Sequence, residues 1–315
     1  MKIVRLTGAI PTRGRPKSLL LANALRIVAN RCGSGVIYTY CSRYVCPPQI
    51  IQRNLTVEQS RANYKRNGYC IFSEQIAPDH VLDNALHGMA AVRDGVFDRG
   101  LPPTEHPGYD PTVLCKINNP HRSDKGLYRL VTCPEIGQKV AAVTGAQRIQ
   151  VWASQLLIKP PGTEAAGHVG WHQDRQYWKM WQEAEGLFTA WIGLSDVTEP
   201  SGPMHFVKGS HRWGFLDQGD FFGNDQRALR EEIELPAGES WAEESALMPC
   251  GGLSVHHSLT FHGSHANVSD TPRCSLAVHL CDERALPVPG VTSYYTAHLD
   301  DPQICPMLYS GTPHL

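Results

Sequence analysis

The run Arg148-Ile-Gln-Val-Trp-Ala-Ser-Gln-Leu-Leu-Ile158, followed after Lys159-Pro-Pro-Gly162 by the tetrapeptide Trp171-His-Gln-Asp174, decides how this chain is read. The run is rich in β-branched, aromatic and aliphatic residues and ends at Pro and Gly, which predicts a strand. Leu187–Val197, Met204–Val207, Leu253–Phe261 and Cys274–Cys281 share this texture, with turn residues between them. Long helical periods are absent from residue 148 onward.

Upstream the pattern is helical. Thr56 is placed to cap a helix reaching Arg66, with Gly68 as its stop. Tyr69–Phe72 reads as a short strand. Pro78 opens a second helix, with Val81, Leu82, Ala85, Leu86, Met89 and Val92 on one stripe. Residues 98–125 read as one long loop, and Pro134 opens a third helix that ends at Gly145. A helical first half before a β-rich second half predicts either two domains or one barrel or jelly roll with helices packed outside it.

The sequence of 315 residues has ordinary globular composition, 42% hydrophobic and 19% charged. It contains no apolar run of membrane-spanning length. Its ten cysteines include no C-x-x-C pair, so the usual zinc signature is missing and a reduced compartment is expected. Residues 1–57 carry nine Lys/Arg and no acid; the remainder holds 20 basic and 30 acidic residues. A body this acidic argues against nucleic-acid binding. The basic residues 1–49 read as an extension, dispensable for chemistry, with a domain spanning 50–315. Cytoplasmic location is expected, or an organelle of mitochondrial type if the extension is a transit segment. Oligomeric state is not legible.

Fifteen histidines raise the expectation of a metal site. Residues i and i+2 of a strand share a face, so His172 and Asp174 can reach one ion. Two His and one carboxylate suit Fe(II) and leave coordination positions open, although zinc accepts the same ligands. Leu253–Leu280 offers five candidates for the second histidine. His262, in Phe261-His-Gly-Ser-His-Ala-Asn267, is favoured because it lies between an apolar strand and a turn. If the strands on either side of 263–272 pair, Arg273 returns near His262, where its guanidinium and the Ser264 hydroxyl can grip a carboxylate.

These residues resemble the phytanoyl-CoA dioxygenase family of Fe(II)/2-oxoglutarate oxygenases, over about residues 110–281. The matching parts are Ile158-Lys-Pro-Pro161 before His172-Gln-Asp174, Leu187–Asp196 before Ser201-Gly-Pro-Met204 and Gly209-Ser-His211, and His262-Gly-Ser264 with Asn267 and Arg273. The resemblance implies a mainly β fold with flanking helices, its core a double-stranded β-helix of the jelly-roll or cupin kind. It implies His172, Asp174 and His262 as iron ligands. It implies Arg273 and Ser264 on the distal carboxylate of 2-oxoglutarate, Lys116 in the co-substrate region, and Gln155 and Trp191 as lining positions. The implied activity is oxidation of an unactivated C–H bond of a small molecule, with O2 and 2-oxoglutarate as co-substrates. A zinc hydrolase and a non-catalytic β-barrel binding protein are the alternatives on the same scaffold. Tyr177, Trp178, Trp181 and Phe206 are expected around a partly apolar substrate pocket, with Lys116, His121, Arg122 and Lys125 as candidates to orient an anionic group.

Overall fold

The computed structural model describes residues 29–32, 35–38, 55–162 and 167–311. The chain divides into two units, Met1–Val45 and Cys46–Leu315. In the first, β1 (Ala29–Cys32) and β2 (Gly35–Tyr38) pair antiparallel. The remaining expectations for residues 1–49 lie outside the described residues.

The second unit opens with α1 (Val57–Asn67). Thr56 accepts from Gln59 N at its start, with the reciprocal Gln59 side-chain bond completing a capping box. Gly68 ends the helix at φ 86°, and a Cβ there would fall 2.5 Å from Thr260 Oγ1 and His211 Nδ1. Next come β3 (Tyr69–Phe72) and α2 (Asp79–Arg93), on which Val81, Leu82, Ala85, Met89 and Val92 are buried. The loop expected over 98–125 is interrupted. It contains β4 (Cys115–Asn118), which pairs with β5 (Arg148–Lys159). Helix α3 (Lys125–Val131), capped by Asp124, was not expected either. It is only seven residues long, too short for a repeating apolar stripe. The third expected helix is α4 (Pro134–Thr144), closed by Gly145.

The strands that follow are β6 (Val169–His172), β7 (Leu187–Gly193), β8 (Met204–Val207), β9 (Glu243–Ser245), β10 (Leu253–His257), β11 (His262–Ser264) and β12 (Arg273–Cys281). α5 (Gln226–Glu232), α6 (Tyr294–Ala297) and β13 (Met307–Ser310) complete the chain. They form two antiparallel sheets. The larger runs β13-β5-β12-β7-β10-β3, with β4 also on β5; the smaller runs β6-β11-β8-β9. This is the jelly-roll core with flanking helices that the sequence predicts, within one compact unit.

Strand periodicity assigns the faces of the large sheet. Leu276, Val278 and Leu280 of β12, Phe188, Ala190 and Ile192 of β7, and Leu253 and Val255 of β10 join one apolar cluster with α1–α4. The alternate residues Trp191 and Ala277 pack with Tyr69, Met204 and Phe206 between the sheets. The expectation that the strands flanking 263–272 pair is not met. β11 pairs with β6 and β8, and β12 with β5 and β7. A jelly roll passes consecutive strands between sheets, so this connection crosses the barrel.

His121 shows how polar groups are housed. It is 1% exposed, with Nδ1 on Ser154 Oγ at 2.6 Å and Nε2 on the Ile304 carbonyl at 2.8 Å. Burial lowers its imidazole from 6.5 to about 4. The unfolded chain therefore binds this proton before the folded one does. Stability is complete above about pH 6.5 and is expected to decline as pH falls toward 4. Melting temperatures across that interval, with His121→Leu showing a shallower decline, check this.

Candidate active site

Three donors converge between the sheets. His172 is the last residue of β6, Asp174 starts a short 3-10 turn, and His262 opens β11 directly opposite His172. His172 and Asp174 therefore meet across a strand end rather than along one strand. Nε2 of His172 lies 3.7 Å from Asp174 Oδ1 and Nε2 of His262 lies 3.6 Å from the same oxygen. One donor atom from each residue falls within 4.8 Å of the other two, and all three residues are buried.

Backbone contacts set both rings. Nδ1 of His172 bonds the Gly170 carbonyl at 2.8 Å, and Nδ1 of His262 bonds the Thr260 carbonyl at 2.9 Å. A carbonyl only accepts, so each Nδ1 carries a hydrogen, and in the neutral ring Nε2 is the atom left to present a lone pair. Burial, with His172 next to it, holds the His262 imidazole well below its ordinary range, hence neutral. Burial pushes the Asp174 carboxyl up, but its histidine neighbours outweigh this and hold it well below the usual range. Two imidazoles and one carboxylate, in a buried triangle, fit a divalent transition metal.

The large sheet orients the carboxylate from behind. Thr189 Oγ1 donates to Asp174 Oδ2 over 2.8 Å, and His256 Nε2 lies 3.3 Å from the same oxygen. Neither residue was singled out from sequence as an Asp174 partner. Their signal is only that Thr189 and His256 fall on inward positions of β7 and β10, opposite one another in the register. Replacing Thr189 by the isosteric Val removes a donor from the carboxylate. Metal affinity is expected to fall about 10–100-fold, and a metal titration of the folded variant checks it; an unchanged affinity rejects the role.

A cavity of about 250 Å³ opens above the triangle. His172 and Asp174 line it, as do Lys116 and Gln155. Trp152, Tyr177, Trp178, Phe221 and Phe222 supply aromatic walls. Phe221 comes from a segment laid along β6: Asp220 N donates to the Trp171 carbonyl and Gly170 N to the Phe221 carbonyl. Gly219, at φ 87°, permits this approach, since a Cβ there would lie 2.1 Å from the Trp171 carbonyl. Lys116 Nζ sits 4.7 Å from the Phe221 ring centre.

The other expected residues divide. Arg273, Ser264 and Trp191 are buried but do not line this cavity. Of the pocket aromatics, Tyr177 and Trp178 line it, whereas Trp181 is core and Phe206 stacks on Tyr69 between the sheets. His121, Arg122 and Lys125 do not face it. His121 is committed as above, Arg122 bonds the Tyr294 hydroxyl, and Lys125 is exposed beside Asp98. Asn267, in a possible glycosylation triplet, is fully buried, its amide bonded to the Lys159 and Thr271 carbonyls.

Arg273 has an unexpected neighbour. It is 2% exposed and paired in register with Lys159, which is fully buried. Among the described residues neither forms an ion pair with a carboxylate, and Arg273 Nε has no hydrogen-bond partner. Burial lowers the Arg273 guanidinium to about 10, and burial with the Arg273 charge lowers Lys159 well below its usual range. Trp191 covers the guanidinium at 5.2 Å. Two buried cations without an anion fit a site built for a carboxylate.

Comparison with known proteins agrees with this arrangement. Relatives include a probable alpha-ketoglutarate-dependent hypophosphite dioxygenase of Stutzerimonas stutzeri, 28% identical over 58% of this chain and 62% of its own length. The peroxisomal phytanoyl-CoA dioxygenase of Homo sapiens is 24% identical over 71% and 68%. The chain thus spans about six-tenths to two-thirds of the length of these relatives. Among solved structures, the carbocyclase SnoK from nogalamycin biosynthesis shares the fold, with a TM-score of 0.59 at 24% identity over 78% of this chain and 90% of that one. Residues 64–275 match the family profile described as Phytanoyl-CoA dioxygenase (PhyH), a span holding the His172–Asp174–His262 triangle and the Arg273–Lys159 pair, and the resemblance read from the sequence is borne out: the chain belongs to the phytanoyl-CoA dioxygenase family.

Proposed function

We propose that this protein is a 2-oxoglutarate-dependent dioxygenase that oxidises a C–H bond of a small molecule. The observation that carries the reading is the buried convergence of His172 Nε2, His262 Nε2 and an Asp174 oxygen beside a cavity that His172 and Asp174 line. These three residues are the ligands for Fe(II). When bound, iron with 2-oxoglutarate and O2 supplies the oxidising chemistry, releasing succinate and CO2.

The chain's own residues bind and orient. Arg273 and Lys159 neutralise the distal carboxylate of 2-oxoglutarate, with the Ser264 hydroxyl as a further donor and Trp191 covering the guanidinium. Thr189 holds the outer oxygen of Asp174, with His256 beside it, leaving Oδ1 directed at the two imidazoles. Lys116 and Gln155 face the cavity, where they contact the substrate or the near end of the co-substrate. Trp152, Trp178 and Phe221 exclude water and suit a compact, partly apolar molecule. No helix among the described residues is long and apolar enough to cross a membrane.

Incubation with Fe(II), 2-oxoglutarate and O2, followed by screening metabolite pools for substrate-dependent succinate, tests the reading. Metal binding without any 2-oxoglutarate consumption would favour the hydrolase alternative, and absence of both would favour a binding protein.

A further inference from the structure

His279 lies on β12 and lines the cavity, yet it is not one of the three converging donors. Its Nδ1 is 3.0 Å from Thr189 Oγ1. That hydroxyl has a single hydrogen, already donated to Asp174 Oδ2. A carboxylate oxygen in that bond accepts, and Thr189 is the donor. Thr189 must therefore accept from His279, so Nδ1 of His279 carries the ring hydrogen. Burial, the first cause, lowers this imidazole to about 4, so the ring is neutral near pH 7. Nε2 is then a bare lone pair.

Nothing answers that lone pair. Nε2 of His279 is buried and has no hydrogen-bond partner among the described residues. The Trp152 ring stacks on His279, centres 5.4 Å apart and planes 28° apart, and it also lines the cavity. Its Nε1–H is buried and equally without a partner. Both side chains are at least nine-tenths buried, at 5% and 2% exposed. Two stacked rings that line one cavity thus carry an unanswered acceptor and an unanswered donor.

A hydroxyl answers both, because its O–H donates and its oxygen accepts. An ether or a carboxylate has no hydrogen for Nε2, and an ammonium has no lone pair for the indole N–H. We propose that His279 and Trp152 form a hydroxyl subsite that selects substrates bearing an alcohol or phenol group. The inference rests on the oxygenase reading of the same cavity and narrows its substrate class. A site built to bond a hydroxyl discriminates strongly against analogues lacking one, since its own polar atoms are left unpaired.

The test uses metal-free, full-length protein labelled with 15N-histidine, and benzyl alcohol and its methyl ether as probes. The free protein should show His279 with Nδ1 protonated and Nε2 in the lone-pair range, assigned by its loss in His279→Asn. Benzyl alcohol should shift the Nε2 resonance, and the ether should not. The Asn side chain keeps an N–H for Thr189 and lacks Nε2, so it should weaken benzyl alcohol binding about tenfold, the equivalent of one hydrogen bond. A protonated Nε2 in the free protein, equal responses to alcohol and ether, or no response to either overturns the subsite. Failure of the oxygenase reading is seen separately, as wild-type protein that takes up neither Fe(II) nor 2-oxoglutarate.

Discussion

Asp174→Ala is expected to remove iron binding and, with it, succinate formation. The substitution deletes one of three donors and also the acceptor of the Thr189 hydroxyl. Loss of a residue that merely orients a ligand costs about 10–100-fold in metal affinity, so loss of the ligand itself should exceed about 100-fold. The metal-free protein loses the acceptor of Thr189 and the counter-charge of the histidines, so its melting temperature should fall as well. Full succinate production by the variant would reject Asp174 as a ligand.

Arg273→Ala is expected to raise the 2-oxoglutarate requirement by about 2–5 kcal/mol, roughly thirtyfold to several thousandfold, because a buried carboxylate loses its charge partner. Lys159 decides where in that range the effect falls. It lies opposite Arg273 in the strand register and remains a buried cation in the variant. Lys159→Met should give a smaller loss, since the Lys159 ammonium is also bonded to the His265 carbonyl. Initial rates against 2-oxoglutarate concentration, for each variant and the pair, measure both effects. Unchanged dependence in Arg273→Ala would mean that another cation holds the carboxylate.

Local chemistry made much of this fold legible. The Thr56 cap, Gly68 stop, α2 stripe and Pro134–Gly145 helix are short-range signals, and each appears where its residues predict. So do the strands around residues 149–158, 188–193 and 274–281, whose apolar runs are buried on both faces of a sheet. What was missed depends on long-range pairing. β4 has only four residues and exists because β5 offers it an edge. The separation of β11 from β12 reflects sheet membership, which no local period encodes. The same holds within the site. His172, Asp174 and His262 stand out as residue types in a motif. Thr189, His256, His279 and Lys159 acquire their roles only when the register of β5, β12, β7 and β10 sets them side by side.

The burial of Lys159 and Arg273 has a consequence for how the protein responds to salt. Mobile ions screen charges that water reaches, over about 8 Å at physiological ionic strength, but they do not enter a packed barrel. An anion held by exposed lysines is released as salt rises. One held by two cations with at most 2% exposure is insulated from that competition. Affinity for 2-oxoglutarate should therefore change little between low and high ionic strength, although the rate at which the dianion passes the acidic outer surface rises with screening.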